Sequence, residues 1–600
     1  MKYKALYDDY DFIVEDKLLH ILLKNRGVES PDKLLKLDKT VLHDGQRFKN
    51  INEGLELLHN HIEKSKQEKI NIHIIVDSDC DGYCSSGLAY QYISDLIKKE
   101  NLNINVTFSL HEGKQHGIRL KELKGYDFDL LIVPDAGSSD LIECKELKSQ
   151  GKDILILDHH EMENDNTYAT VINCMDKQYP NTTLSGTGVT YKFFKEFDKK
   201  YEYDFANKYL NLVALGNIGD SMDLRNYETR YLTLLGLNDF GENNLFLQEI
   251  MNKQEYSLKD GITITSVGWY IAPLFNAVVR SGDMEEKTNV FKALIGVEET
   301  KGYKKRKTKK NPNPEIENQT LQEYMARECV NIKGRQDRQV KKGVGEIKKK
   351  IKDKELDKNK ILMVDGTGIL DNNFTGLVAN KLASAYKRPA ILLKKHKNGL
   401  YGGSGRNYRL SSIIDLRKFL LNLDTFKSVE GHDNAFGFLI DANKLVETRD
   451  KVNEQLKNVL IEDIYKVDYE IPVGRLKERH IKQVGQWYQI WGNTLNEPLF
   501  AITDIYIPTE DIKLLGQRKN IIRFDKKIGS NKITFIKFFA NEGIYNKMVL
   551  KSNVGLNKTS VKRVRLDIIG KFKINKWQNN EYPQIEIIDF NSVKSDDFVF

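Results

Sequence analysis

Residues 70–82 read "INIHIIVDSDCDG", an apolar run that stops abruptly at three acids, Asp77, Asp79 and Asp81, set at alternate positions. Two later segments share this grammar: "YDFDLLIVPDAG" (126–137) and "KDILILDHHE" (152–161) are short aliphatic runs ending in acid. Between them, "GLAYQYISDLIKKE" and "SDLIECKELKSQG" carry apolar residues at helical spacing. The alternation predicts a parallel sheet buried on both faces, with the polar residues on its carboxyl rim, where such sheets bind ligands. A further stretch, "LNLVALGNIGDSMDL" (210–224), runs an apolar helical segment into Gly219 and Asp220 and can reach the same rim.

Composition bounds the rest. A chain of 600 residues, 40% hydrophobic and 30% charged, has room for several domains, and no apolar run approaches membrane-spanning length. The amino-terminal "KYKALYDDYDFIVEDK" is too charged for a secretory signal, so a cytoplasmic location is expected, in a bacterial or phage-infected cell. Five scattered cysteines imply neither a disulfide framework nor a zinc finger. The net charge of +8 is mild, but seven of the ten residues in "KGYKKRKTKK" (301–310) are basic, which suits either a solvated linker or a phosphate-contacting segment. Pro312 and Pro314 mark a break, and 321–352 reads as a long exposed helix joining two domains. A second α/β unit starts at "KILMVDGTG" (360–368) and includes the glycine-rich "GLYGGSGRN" (399–407). After Lys466, short β-rich runs separated by polar turns suggest a small antiparallel barrel.

Clustered acids need a counter-charge, because two carboxylates about 4 Å apart repel by roughly 4 kcal/mol at an intermediate effective dielectric. Divalent cations supply it economically. His159 and His160 of "DHH" add imidazole, which favours manganese, with magnesium as the alternative. Taken alone, "DxDxDG" could equally be a calcium loop or a solvated turn, and "HH" a surface pair. Their arrival in order at one strand edge points to a site for two metal ions.

These motifs match a known pattern. "DSDCDG", "PDAG", "LDHHE" and "GNIGD" resemble the phosphoesterase motifs of the DHH superfamily, and "GGSGRN" with "EGHDNAFG" (430–437) resembles its associated DHHA1 domain. "INCMDKQYPNTTLSGTGVTYKFF" (172–194), "VGWYIAPLFNAVVRSGD" (267–283) and "IIGKFKINKWQNNEYPQIEIIDF" (568–590) resemble the bacterial single-strand-specific exonucleases of the RecJ family. The resemblance implies an α/β chain in which a parallel-sheet DHH domain (66–300) follows an N-terminal extension (1–65). A basic linker and connecting helix (301–355) would lead to a DHHA1-like substrate-binding domain (356–455) and a C-terminal OB-fold β-barrel (460–600) that binds nucleic acid.

By the same resemblance, Asp79 binds one metal; Asp81, His159 and Asp220 bind the other; and Asp135 bridges them. Asp77 and His160 lie beside the metals and complete the catalytic set. Arg280, Gly403, Ser404, Arg406 and His432 would hold the substrate, and Trp577 would stack on a base. Where the family carries an arginine-containing stretch, this chain has "LHEGKQHGI" (110–118), so His111, Lys114 and His116 would have to take over the contact with a 5′-phosphate. The expected activity is a metal-dependent exonuclease on single-stranded DNA, running 5′ to 3′, releasing 5′-mononucleotides and serving recombination, repair or replication. The expected protein is a monomer, with a single-strand-binding protein or a helicase as a partner. Two other readings stay open: a DHH phosphodiesterase of short oligoribonucleotides or cyclic dinucleotides, and a non-catalytic replication scaffold.

Overall fold

The computed structural model describes residues 1–7, 17–113, 115–162, 164–305, 312–370, 372–396, 399–459, 464–529, 531–551, 561–578 and 580–594. The side chains of Asn372, Asn531 and Trp577 are not among those described. The fold is mixed α/β and divides into two compact units, one of residues 33–341 with 492–494, the other of residues 1–32, 342–491 and 495–600.

The first unit is built on a five-stranded sheet in the order Ile104–Leu110, Ile70–Val76, Leu130–Pro134, Asp153–Asp158, Thr170–Asn173, with every pair parallel. Successive residues of its central strands face opposite cores. Ile72, Ile74, Leu130, Ile132, Leu155 and Leu157 join one cluster with Leu88 and Tyr92 of the Cys80–Glu100 helix and with Phe193 and Phe194. Ile75, Leu131, Val133, Ile154 and Ile156 join the other with Cys144 and Leu147 of the Leu141–Ser149 helix. Period-two side-chain direction and burial on both faces together explain the unbroken aliphatic runs.

The chain leaves Ile70–Val76 to one side, to Ile104–Leu110, and returns on the other, to Leu130–Pro134. Such a reversal is the switch point at which ligands are expected, here at the carboxyl ends of Ile70–Val76 and Leu130–Pro134. The Ile51–Ser65 helix, which precedes the expected start of the DHH domain, also packs here, through Leu55, Leu58 and Ile62. In the basic run, Thr300–Lys304 pairs with Ile316–Thr320 as an antiparallel hairpin rather than forming an open linker; residues 306–311 lie outside the described set. The long helix is Leu321–Asp353.

The second unit holds two sheets. One has the order Phe426–His432, Ala435–Asp441, Leu400–Arg406, Ala390–Lys395, Leu362–Asp365, with only the last pair parallel. The glycine-rich stretch is therefore a central strand and not a turn. Gly403 is required there because a Cβ would fall 1.9 Å from the Leu392 carbonyl oxygen. The other sheet has eight strands and carries the C-terminal barrel; its first strand in order is Lys2–Tyr7, parallel to Ile464–Pro472. No helix among the described residues is long and apolar enough to cross a membrane.

Candidate active site

Each acid of the first motif has its own anchor. Asp77 follows the Ile70–Val76 strand directly and is buried; its Oδ2 lies 2.6 Å from His116 Nδ1, and its Oδ1 accepts from Gly117 N at 3.2 Å. Asp79 is the N-cap of the Cys80–Glu100 helix and accepts from Gly82 N at 2.9 Å. Asp81, in the first turn of that helix, is gripped by the N-terminus of the Gly186–Tyr201 helix: Gly186 N donates to Oδ2 at 2.6 Å, and Thr187 Oγ1 and N donate to Oδ1 at 2.5 and 3.2 Å. Orphan amides at a helix start are a natural seat for a carboxylate.

Asp135 and His159 complete the centre. Asp135 caps the Leu130–Pro134 strand with a left-handed backbone at φ 68°, which aspartate tolerates better than most residues. His159 Nε2 lies 3.1 Å from Asp135 Oδ1, 3.6 Å from Asp220 Oδ2 and 4.0 Å from Asp81 Oδ2. The sequence brings these residues from four separate segments, and the fold places them around one point. Two glycines make room for them: a Cβ on Gly186 would lie 2.3 Å from Asp135 Oδ1, and one on Gly216 would lie 2.2 Å from Asp81 Oδ1.

The electrostatics show an unmet demand for positive charge. Burial, with repulsion from Asp77 and Asp81, pushes the Asp79 carboxyl up to about 6. Burial and the neighbouring carboxylates, Asp81 first, hold Asp135 well above the usual carboxylate range, and burial with Asp79 and Asp81 does the same to Asp220. Asp135 Oδ1 is buried with no hydrogen-bond partner, although an imidazole nitrogen is 3.1 Å away. Ligand atoms of Asp81, His159 and Asp220 lie within 4.8 Å of one another, and so do those of Asp135, His159 and His160. An orphaned carboxylate oxygen amid oxygen and imidazole donors fits hard or borderline divalent cations.

One residue that was not among the sequence candidates organises the histidines. Asp158, the first letter of "DHH", accepts from His159 N at 2.7 Å and from Ser138 N at 3.1 Å, and its Oδ1 lies 2.8 Å from His160 Nδ1. Burial disfavours charge on both partners, but their pairing wins: His160 is pushed up to about 9 and Asp158 is held below the usual range. Thr187 and Gly186 were also unassigned, though Ser185 followed by "GTG" ahead of a helical run was a readable N-cap signal.

The substrate candidates divide. Arg280 is half-buried; burial lowers its pKa while Asp79 raises it, so its guanidinium lies within electrostatic reach of the acids. His116 is largely exposed and tied to Asp77. His111 is buried, with Nδ1 2.6 Å from Glu122 Oε2 and Nε2 3.7 Å from Asp77 Oδ1. Lys114 and the Trp577 side chain lie outside the described residues. In the second unit, Arg406 and His432 both pair with Ala435 from opposite sides, which puts them at one level of the sheet. Ser404 Oγ is 2.9 Å from Thr375 Oγ1, at the start of the Thr375–Tyr386 helix. The barrel lysines are less available than their number suggests, since Lys571 and Lys573 both pair with Glu497.

Comparison with known proteins agrees with this architecture. Residues 71–217 match the DHH family, N-terminal domain, and residues 467–589 match the RecJ OB domain. The SPbeta prophage-derived protein YorK of Bacillus subtilis (strain 168), provisionally named a single-strand DNA-specific exonuclease, is 37% identical over 99% of each chain. The single-stranded-DNA-specific exonuclease RecJ of the same organism is 25% identical over 95% of this chain and 67% of its own. RecJ from Thermus thermophilus, crystallised with Mn2+, shares the fold with a TM-score of 0.67 at 16% identity, covering 99% of this chain and 79% of that one. Motifs, fold and full-length similarity together place the chain in the RecJ-like family of DHH proteins.

Proposed function

We propose that this protein is a metal-dependent exonuclease that degrades single-stranded DNA from its 5′ end by hydrolysis of successive phosphodiesters, releasing 5′-mononucleotides. The observation that carries this reading is the convergence of Asp79, Asp81, Asp135, His159 and Asp220 at a sheet switch point, with Asp135 Oδ1 buried and making no hydrogen bond. Asp79 would hold one cation, Asp81, His159 and Asp220 a second, and Asp135 both. Manganese suits the imidazole in the set, and magnesium is the alternative. Bound there, the pair supplies Lewis acidity toward a water and neutralises charge on the phosphate.

The chain's own groups do the rest. Asp158 fixes His160 through Nδ1, so that Nε2 is the nitrogen His160 can offer the metals or the reacting phosphate. Asp77 holds His116 at the rim, and Arg280 adds a guanidinium on the Asp79 side; both suit phosphate oxygens. Segment 356–455, with Ser404, Arg406 and His432, is the proposed grip on the nucleotide, and 460–600 the proposed strand-binding domain. Single-stranded DNA is thus the substrate, and recombination, repair or replication the setting. DNA labelled at the 5′ or the 3′ end and incubated with manganese tests the reading. Immediate release of labelled mononucleotide from the 5′ end, lost in Asp135→Ala, supports it; a strand left intact by the wild type with manganese, magnesium or cobalt overturns it.

A further inference from the structure

Among the exposed aromatic side chains are two that are adjacent in the chain. Trp269 is 73% exposed and Tyr270 43%, in a chain whose Trp491 is 1% exposed. Both belong to Val267–Ile271, a single π-helical turn between the Ile264–Ser266 turn and the Ala272–Ser281 helix. Isolated π turns of this kind are rare and tend to mark functional positions. Pro273 follows at the start of the next helix and lacks the amide that would continue a regular ladder, while Thr263 and Ser266 close a capping box on the other side. The turn is therefore held at both ends while its two rings face solvent.

Its position ties it to the site. A Cβ on Gly268 would lie 3.3 Å from Ile218 Cγ2, and one on Gly219 3.7 Å from Ala272 Cβ, so the turn and the start of its helix pack on the two residues that precede Asp220. The same helix carries Arg280, coupled electrostatically to Asp79. Exposed aromatic faces on a turn that packs against the residues just before Asp220 suit the stacking of unstacked bases.

We propose that Trp269, with Tyr270, is a stacking platform for bases of the single strand flanking the reacting phosphate. This rests on the exonuclease reading above. It makes base presence, rather than base identity, a determinant of turnover, because every base offers a π face.

The test compares oligo(dT) with a strand of equal length whose bases are replaced by abasic spacers near the 5′ end, for the full-length wild type, Trp269→Ala, Trp269→Phe and Tyr270→Ala. Wild type should favour the base-bearing strand in kcat/KM by about tenfold, Trp269→Ala should lose that preference, and Trp269→Phe should keep most of it. Equal preference in wild type and Trp269→Ala would overturn the proposal, and so would a loss of rate that is the same on both strands. Tryptophan fluorescence in an Asp135→Asn background reads binding without turnover. Quenching by oligo(dT) but not by the abasic strand, absent in Trp269→Phe, supports stacking, and identical quenching in both variants excludes it. If wild type cuts neither strand, the exonuclease reading fails and the quenching alone decides the platform.

Discussion

The acid cluster and the basic face of the C-terminal barrel are both dense in charge, yet the fold treats them oppositely. In the barrel, Lys571 and Lys573 share Glu497, Arg565 lies near Asp504 and Asp567, and Lys576 meets Glu581. At the switch point, Asp77, Asp81 and Asp135 are buried beside Asp79 and Asp220 with too little positive charge among them. Compensated surface charge contributes little and says little, because solvent screens it. Buried charge without compensation is costly, and its retention implies a ligand that supplies the missing sign.

The sharpest way to break this contrast is Asp135→Asn. If Asp135 serves both cations as proposed, its loss should reduce exonuclease turnover by at least about a thousandfold in a single-turnover assay. Residual activity within about tenfold of wild type would remove Asp135 from the centre.

Stability should follow the same logic. The raised pKa values mean that the metal-free fold binds protons more tightly than the unfolded chain. The stability conferred by the protonated cluster is thus complete below the ordinary carboxylate value of 3.8, and is lost as pH rises through about 6 for Asp79 and through the raised values of Asp135 and Asp220. Thermal melts of metal-free protein should fall across this window. Manganese at about a hundredfold excess over its dissociation constant should restore about 2.7 kcal/mol at neutral pH. Melts that do not respond to manganese or to chelator would contradict the metal assignment.

Removing support rather than a ligand should cost less. Asp158→Asn should reduce turnover by about 10- to 100-fold, as loss of an outer partner of a metal site typically does, and should return His160 toward an ordinary histidine pKa from about 9. NMR titration of the His160 ring checks the second effect independently of activity. The smallest change belongs to the barrel: with Glu497 already compensating it, Lys571→Ala should alter the salt dependence of strand binding, measured by fluorescence anisotropy, by less than about one unit of slope. A change of a full unit would show that the lysine contacts phosphate.

Much of this was legible in the chain itself because the signals are local. Aliphatic runs ending in acid mark the central strands of a sheet buried on both faces, and the Pro-free charged stretch marks the long helix. Ile104–Leu110 and Thr170–Asn173 went unread because edge strands, half-solvated or only four residues long, lack that continuous apolar run. His111 was named because it stands where the family carries an arginine-containing stretch; that Glu122 pairs with its Nδ1 in the interior is a tertiary fact no local pattern records.

The acids and histidines of the motifs, their order and the sheet that carries them could be read from short segments, since side-chain period is a local property. Which charges go uncompensated was settled by folding. Compensation depends on residues far apart in the chain, such as Glu497 beneath two barrel lysines or the Gly186–Tyr201 helix start beneath Asp81, and no local pattern records those meetings.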